Sequence, residues 1–282
     1  MTIEKAIDVM ALTRSHYENF TVLSWLLPRH LRTDVANLYA YCRTVDDIGD
    51  EAEGDRLALL AQWEEELLRC FTGTPKYPVL VRLQDTIRKH QLRAEPFLRL
   101  IEANRRDQVR HRYQNWQQLL DYCHYSANPV GELYLALLGY TDTCRIQLAN
   151  ATCTALQLVN FWQDISCDAA CNRIYIPMEE LVKTGISADD VLNGRNSAAS
   201  AQLIATLCDK TAPLFQTGLE LLNLLKRREA YNVSLFSLGG MAILDAVRAN
   251  RDRIFSYRPT LSKSHLVRLG VQALFLFGRK RR

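Results

Sequence analysis

The sequence predicts an all-α protein, and three observations carry that prediction. Apolar residues recur at helical spacing along nearly the whole chain, strand alternation is hard to find, and helix-boundary residues stand at the ends of the periodic segments. With 282 residues, 48% of them hydrophobic and 23% charged, the composition is that of a globular protein. No Gly/Ser/Pro-rich linker divides the chain. Residues 1–282 are therefore expected to form a single domain, a helical bundle large enough to enclose a central cavity.

Each helix has its own local justification. One is expected to begin near Thr33, its cap, with Val35, Leu38, Tyr39 and Cys42 on one side. Asp55 can cap the next, whose inner residues include Leu59, Leu60, Trp63 and Leu67. Pro96 fits the first turn of a helix reaching to about Arg112. Asn128-Pro129 reads as cap plus first-turn proline of a helix ending near Gly139. A long apolar helix is expected from about Thr143 to Ser166, followed by a loop containing Pro177. Segments 199–229, 233–255 and 262–277 complete the set, with Pro213 kinking or breaking the first of these.

Composition excludes several function classes. The net charge of +4 is spread among interspersed acids and bases. The basic clusters at Arg105–Arg106, Arg110–Arg112, Lys226–Arg228 and Arg279–Arg282 read as solvated helix faces, because no groove-reading motif accompanies them; no nucleic acid is expected. Eight scattered cysteines form no C-x-x-C pair, which argues against zinc. No signal peptide is evident, so reduced thiols and a cytoplasmic location are expected. No uninterrupted run of 18 apolar residues exists to cross a bilayer. Leu266–Gly278, followed by Arg279, Lys280, Arg281 and Arg282, reads either as a last core helix with a charged tail or as a helix lying on an anionic membrane surface. The second reading makes 262–282 a peripheral contact at the inner face of the membrane.

Two acidic constellations carry the chemistry. Asp46-Asp47-Ile48-Gly49-Asp50-Glu51 lies late in an apolar helix. Helical geometry puts Asp46 and Asp50 one above the other, about 6 Å apart along the axis, with Asp47 and Glu51 in the adjacent column. Four like charges near a helix C-terminus oppose both one another and the helix dipole, and cations relieve both problems. The second constellation is Asn160, Asp164 and Asp168, at i, i+4 and i+8 of the long apolar helix. Oxygen donors without His or Cys suit a hard cation, and magnesium keeps several waters while bridging to substrate phosphate. Two facing acidic stripes would hold Mg²⁺ ions against a diphosphate; alternatively, each is a solvated polar face. Arg43, one turn before Asp46, can meet a diphosphate oxygen or pair with Asp46 or Asp47. Tyr39 either faces the same cavity or belongs to the core. Arg173 and Tyr175 follow the second constellation closely and are expected to contact the substrate.

The run from Leu38 to Glu51 resembles the first aspartate motif of the squalene/phytoene synthase family, and Leu156–Asp168 with Arg173–Pro177 resembles its second. Tyr122-Cys123 and Val130-Gly131-Glu132 are similar to the segment between them. The resemblance covers roughly residues 10 to 260 and implies an all-α isoprenoid-synthase domain around a central cavity. It implies magnesium ligands at Asp46, Asp50, Asn160, Asp164 and Asp168, three Mg²⁺ with bound diphosphate, and catalytic roles for these aspartates with Arg43 and Tyr39. It implies substrate or diphosphate contacts at His16, Tyr17, Glu18, Asn19, Tyr39, Arg43, Gln157 and Gln163. Gln163 departs from the common pattern, in which an arginine precedes the aspartate, and so one positive charge is absent. Residues 18–22, 126–131 and 160–164 look closest to the hydroxysqualene synthases of the bacterial hopanoid pathway. That branch implies a lyase taking presqualene diphosphate and water to hydroxysqualene and diphosphate, without NADPH. It also implies handover from a presqualene diphosphate synthase and to a hydroxysqualene reductase. Head-to-head condensation of two prenyl diphosphates is the alternative, with a class I terpene cyclase and a non-catalytic helical scaffold more remote.

Overall fold

The computed structural model describes residues 29–261, so the expectations placed on His16, Tyr17, Glu18, Asn19 and the 262–282 tail lie outside the described residues. In chain order the helices are α1 (Arg32–Asp50), α2 (Arg56–Thr72), α3 (Pro78–His90), α4 (Glu95–Asp107), α5 (Trp116–Ser126) and α6 (Asn128–Leu137). They continue with α7 (Thr143–Gln163), α8 (Ile165–Ala170), α9 (Met178–Thr184), α10 (Ala188–Leu192), α11 (Ala198–Leu219) and α12 (Arg227–Ala249). Among the described residues no strand forms; the only extended pairing is an isolated parallel bridge between Arg112 and Ile174. The all-α expectation holds.

Several boundaries differ from the expected ones for local reasons. Thr33 does not cap α1, because a 3₁₀ turn at Arg29–Leu31 runs directly into the helix. Asp55 does cap α2, its carboxylate accepting from the Ala58 amide at 3.0 Å. Pro96 occupies the first turn of α4, which stops at Asp107, short of Arg112. Asn128 opens α6 as a helical residue, and its side-chain oxygen accepts the Thr154 hydroxyl at 2.9 Å. Pro213 neither breaks nor ends α11, which continues for six more residues to Leu219 before passing into a 3₁₀ turn. The helix tolerates the missing N–H, a loss a long packed helix can offset through its neighbours.

The described residues fall into two compact units: 29–109 with Pro129–Asp142, and Arg110–Asn128 with 143–261. The first is built on α1, against which α2, α3 and α4 pack. Its core contains Tyr41, Val45, Ile48, Leu60, Trp63, Leu67 and Phe97, all fully covered. Tyr41 packs edge-on against Phe97 at 5.1 Å and donates its hydroxyl to the Phe97 carbonyl at 2.9 Å, so even the polar tip of this core ring is satisfied. Asp34, nearly without exposure, is held by Lys89 at 2.7 Å, His90 at 3.0 Å and Thr86 at 3.2 Å, which ties α1 to α3.

The second unit is built on α7, which packs against α5, α11 and α12. Trp162, fully buried, donates its indole N–H to Thr211 of α11 at 2.9 Å. Gly240 lets α12 close on its neighbours: a β-carbon there would lie 2.5 Å from Leu156 and 2.6 Å from Phe215. α12 is also long and apolar enough, by length and composition, to cross a bilayer, with a mean hydropathy of 1.3 over 18 residues. This corrects the expectation that no segment qualifies, because the strict count of uninterrupted apolar residues overlooked a helix with few charges. Its buried side, including Val233, Leu244 and Val247, packs within the second unit, as a core helix does.

Candidate functional site

The first aspartate motif ends α1. Asp46 and Asp50 keep accessible side chains, whereas Asp47 is 6% exposed. The two-column geometry read from the sequence is present: Arg43 pairs with Asp47 at 2.5 Å and with Glu51 at 3.0 Å, bridging one column. Asp46, in the other column, accepts from Asn104 Nδ2 of α4 at 3.3 Å. Burial by surrounding protein pushes Asp46 up to about 6, with Asp50 and Asp47 adding, against the Asn104 hydrogen bond and Arg43. The carboxylate still touches water, which screens part of that penalty. The upward direction is what bears on chemistry, since a bound cation would favour the charged form. Tyr39 is half-buried, one turn before Arg43.

A helix ending in acids needs help, and residues the sequence reading did not single out supply it. Arg56 donates to the Gly49 carbonyl at 3.0 Å and to the Ala52 carbonyl at 2.8 Å. Gln108 donates to the same Gly49 carbonyl and to the Asn104 carbonyl, each at 3.0 Å. The two bonds to Gly49 satisfy a carbonyl in the last turn of α1, and Arg56 places positive charge where the dipole favours it. Gly49 makes room for this: a β-carbon would stand 2.0 Å from Asn104 Oδ1. Asn104 lies on α4 and Gln108 is the residue that follows its last turn. Nothing in the sequence said which helix they would meet.

The second motif lies at the end of α7, and here the expectation of one continuous helix to about Ser166 is corrected. The helix is interrupted at Asp164, whose backbone sits at φ −100 and ψ 12, and resumes as α8. The bonds from the Asp164 amide to the Asn160 carbonyl (2.9 Å) and from the Asp168 amide to the Asp164 carbonyl (2.8 Å) survive the break. The four-residue spacing of Asn160, Asp164 and Asp168 is therefore kept. Asn160 is exposed, and Asp164 and Asp168 are half-buried. Asp164 is paired through both oxygens with the guanidinium of Arg258, a residue the sequence reading did not single out. Hydrogen bonding to Asp164 raises the Arg258 pKa further.

Gln163, 8% exposed, donates to the Pro259 carbonyl at 2.7 Å. Gln157 is half-buried on the same helix. Beyond the motif, the Arg173 amide returns to the Asp168 carbonyl at 2.8 Å across a turn in which Asn172 takes a positive φ of 55. Arg112 grips that turn, reaching the Asn172 carbonyl at 2.5 Å and its side-chain oxygen at 2.7 Å. Tyr175 is buried with its ring stacked on Phe161 at 3.9 Å, within a cluster that includes Tyr113 and Tyr122. Its ring face is thus committed to packing.

The donor set fits a hard cation. Each motif offers carboxylate or amide oxygens, and each keeps accessible donors: Asp46 and Asp50 in the first, Asn160 in the second. Among the described residues no three His, Cys, Asp or Glu side chains converge on one point. Ions here would need oxygens from water or substrate to complete their shells, as magnesium usually does.

A family model described as squalene/phytoene synthase matches residues 13–265. A hydroxysqualene synthase of Zymomonas mobilis is 36% identical over 207 residues, covering 71% of this chain and 68% of that protein. A 15-cis-phytoene synthase of Synechocystis is 29% identical over 281 residues, covering 93% and 83%. Among solved structures, squalene synthase HpnC from Alicyclobacillus acidocaldarius superposes with a TM-score of 0.81 at 48% identity, covering 88% of this chain and 95% of that one.

Proposed function

The chain belongs to the squalene/phytoene synthase family, and from that premise we propose that it converts presqualene diphosphate and water into hydroxysqualene and diphosphate. In this reading the bond between carbon and the diphosphate oxygen breaks with its electron pair leaving on diphosphate. The cyclopropylcarbinyl cation rearranges, water adds to it, and the added oxygen loses a proton. No reductant is consumed, so NADPH has no part.

One observation carries the choice within the family. Gln163 is a neutral side chain, so the position before Asp164 contributes no positive charge of its own, and Arg258 is the guanidinium beside that aspartate. A site that ionises one diphosphate needs less cationic neutralisation than one that gathers two. The relatives named hydroxysqualene synthase in Zymomonas mobilis and Rhodopseudomonas palustris, at 36% and 34% identity, support the same choice.

Asp46 and Asp50 from α1, and Asn160, Asp164 and Asp168 from the second motif, would hold magnesium. When bound, it supplies positive charge that stabilises the departing diphosphate. Arg43 holds Asp47 and Glu51 away from the Asp46–Asp50 column, and Asn104 orients Asp46. The reaction's place is between an enzyme that makes presqualene diphosphate and one that reduces hydroxysqualene. Purified protein with Mg²⁺ and presqualene diphosphate tests the reading, with mass identification of the lipid product. Hydroxysqualene is expected, and its absence overturns the assignment.

A second reading is head-to-head condensation of two prenyl diphosphates. The alignment with the Synechocystis phytoene synthase over 93% of the chain favours it, as does the likeness to the squalene synthase HpnC structure. Farnesyl diphosphate supplied alone separates the two: a C30 product supports condensation.

A further inference from the structure

Both oxygens of Asp164 face a guanidinium. Arg258 Nε meets Oδ1, and Nη2 lies 3.4 Å from Oδ2, a forked pair across 94 residues of sequence. The segment that carries Arg258 is fastened on both sides. Gln163, the neighbour of Asp164, holds the Pro259 carbonyl. On the other side Ile254 and Phe255 are buried, Asn196 accepts from the Phe255 amide at 3.1 Å and donates to Ser256 Oγ at 2.8 Å. Arg253 lies 3.8 Å over the Tyr257 ring. The same glutamine that withholds a charge at position 163 thus tethers an arginine to the next residue.

We propose that Arg258 is a resident counter-ion that closes Asp164 to metal ions until a diphosphate arrives, and that the Gln163–Pro259 hydrogen bond positions it. This rests on the reading of Asp164 as a metal ligand. A divalent ion alone must displace a guanidinium that then has no partner, whereas a metal diphosphate brings a cation for Asp164 and an anion for Arg258 together. The exchange is then balanced in charge. Arg258 is 45% exposed on its side chain, and an ion pair this open to water is weak enough to be exchanged. The geometry makes Arg258 a positioning residue toward Asp164, and its effect is read in metal affinity before turnover.

The test is titration of the full chain with Mn²⁺, following the free ion by electron paramagnetic resonance, with and without inorganic diphosphate. Without diphosphate, Arg258→Gln should bind Mn²⁺ about fivefold more tightly than the unaltered protein, the size set by an exposed ion pair. Arg258→Lys should move the same way, because lysine keeps the charge but lacks the two-pronged fork. Adding inorganic diphosphate should close the gap, and Asp164→Asn should remove it. Should Arg258→Gln not fold, Gln163→Leu frees the segment with its charge intact and should tighten Mn²⁺ about twofold.

Equal affinities for Arg258→Gln and the unaltered protein, in a protein whose Mn²⁺ binding depends on Asp164, would overturn the counter-ion role and leave the proposed function standing. So would Arg258→Lys behaving as unaltered while Arg258→Gln tightens, since net charge alone would then explain the result. Absence of Mn²⁺ binding by every form, even with diphosphate, would remove the metal reading and this inference with it.

Discussion

Replacing Gly49 by alanine should reverse the usual sign of a glycine-to-alanine change in a helix. On an open helical position the change stabilises by about 1 kcal/mol. Here the new β-carbon would lie 2.0 Å from Asn104 Oδ1 and 2.9 Å from its Cγ, so the amide must swing aside. Asn104 then gives up its hydrogen bonds to Asp46 Oδ1 at 3.3 Å and to the Leu100 carbonyl at 3.2 Å. Its side chain is 8% exposed, so water replaces those bonds poorly. Two such losses cost about 2–3 kcal/mol together, leaving a net destabilisation of about 1–2 kcal/mol. Denaturant unfolding of metal-free protein measures it, and the midpoint temperature should fall by a few degrees. In an Asn104→Ala background the oxygen is gone and the nearest approach that remains, 3.2 Å to the β-carbon at position 104, needs only a small shift. There Gly49→Ala should stabilise by roughly 1 kcal/mol. A stabilising effect in both backgrounds would refute the claim that Asn104 occupies the space Gly49 leaves.

The remaining expectations concern charge. Asp46 titrates at about 6 in the folded protein against an ordinary 3.8, so the folded state binds the extra proton between those values. Its contribution to stability therefore improves as pH falls from 7 toward 4, and metal-free Asp46→Asn should be the more stable form at pH 7, with the difference gone by pH 4. Thermal scans across that range check the sign. Glu180 is the opposite case: burial raises it, but hydrogen bonds from Lys210, Lys183 and Trp116 bring it down to about 2. Its contribution is full above pH 4.5 and is lost as pH falls toward 2, and because both lysines are exposed, Glu180→Gln should cost only about 1–2 kcal/mol at pH 7. Denaturant midpoints at pH 7 and pH 3 measure the difference, and equal losses at both would contradict the pairing. Asp50→Asn and Asp164→Asn should each lower kcat on presqualene diphosphate by about a hundredfold or more. Unchanged turnover in both would remove the catalytic reading.

Local information was enough for the all-α class, for several of the helices and for the spacing of the aspartates. The cap at Asp55 and the first-turn proline at Pro96 act within one turn of themselves, so their chemistry is legible in a short stretch of sequence. The column of Asp47 and Glu51 bridged by Arg43 follows from 3.6 residues per turn alone. The interruption at Asp164 was not legible in this way. A continuous apolar pattern predicts a continuous helix, and the break coincides with a partner 94 residues away.

What the chain alone determined is the class of fold, the family and the spacing of the candidate oxygen donors, because periodicity and motif spacing are properties of neighbours along the backbone. What only tertiary structure decided is the company those donors keep. Asn104 against Asp46, Arg56 and Gln108 on the Gly49 carbonyl, and Arg258 on Asp164 are all long-range pairings. Electrostatic and hydrogen-bond energies depend on separation in space, and a linear sequence records only separation along the chain.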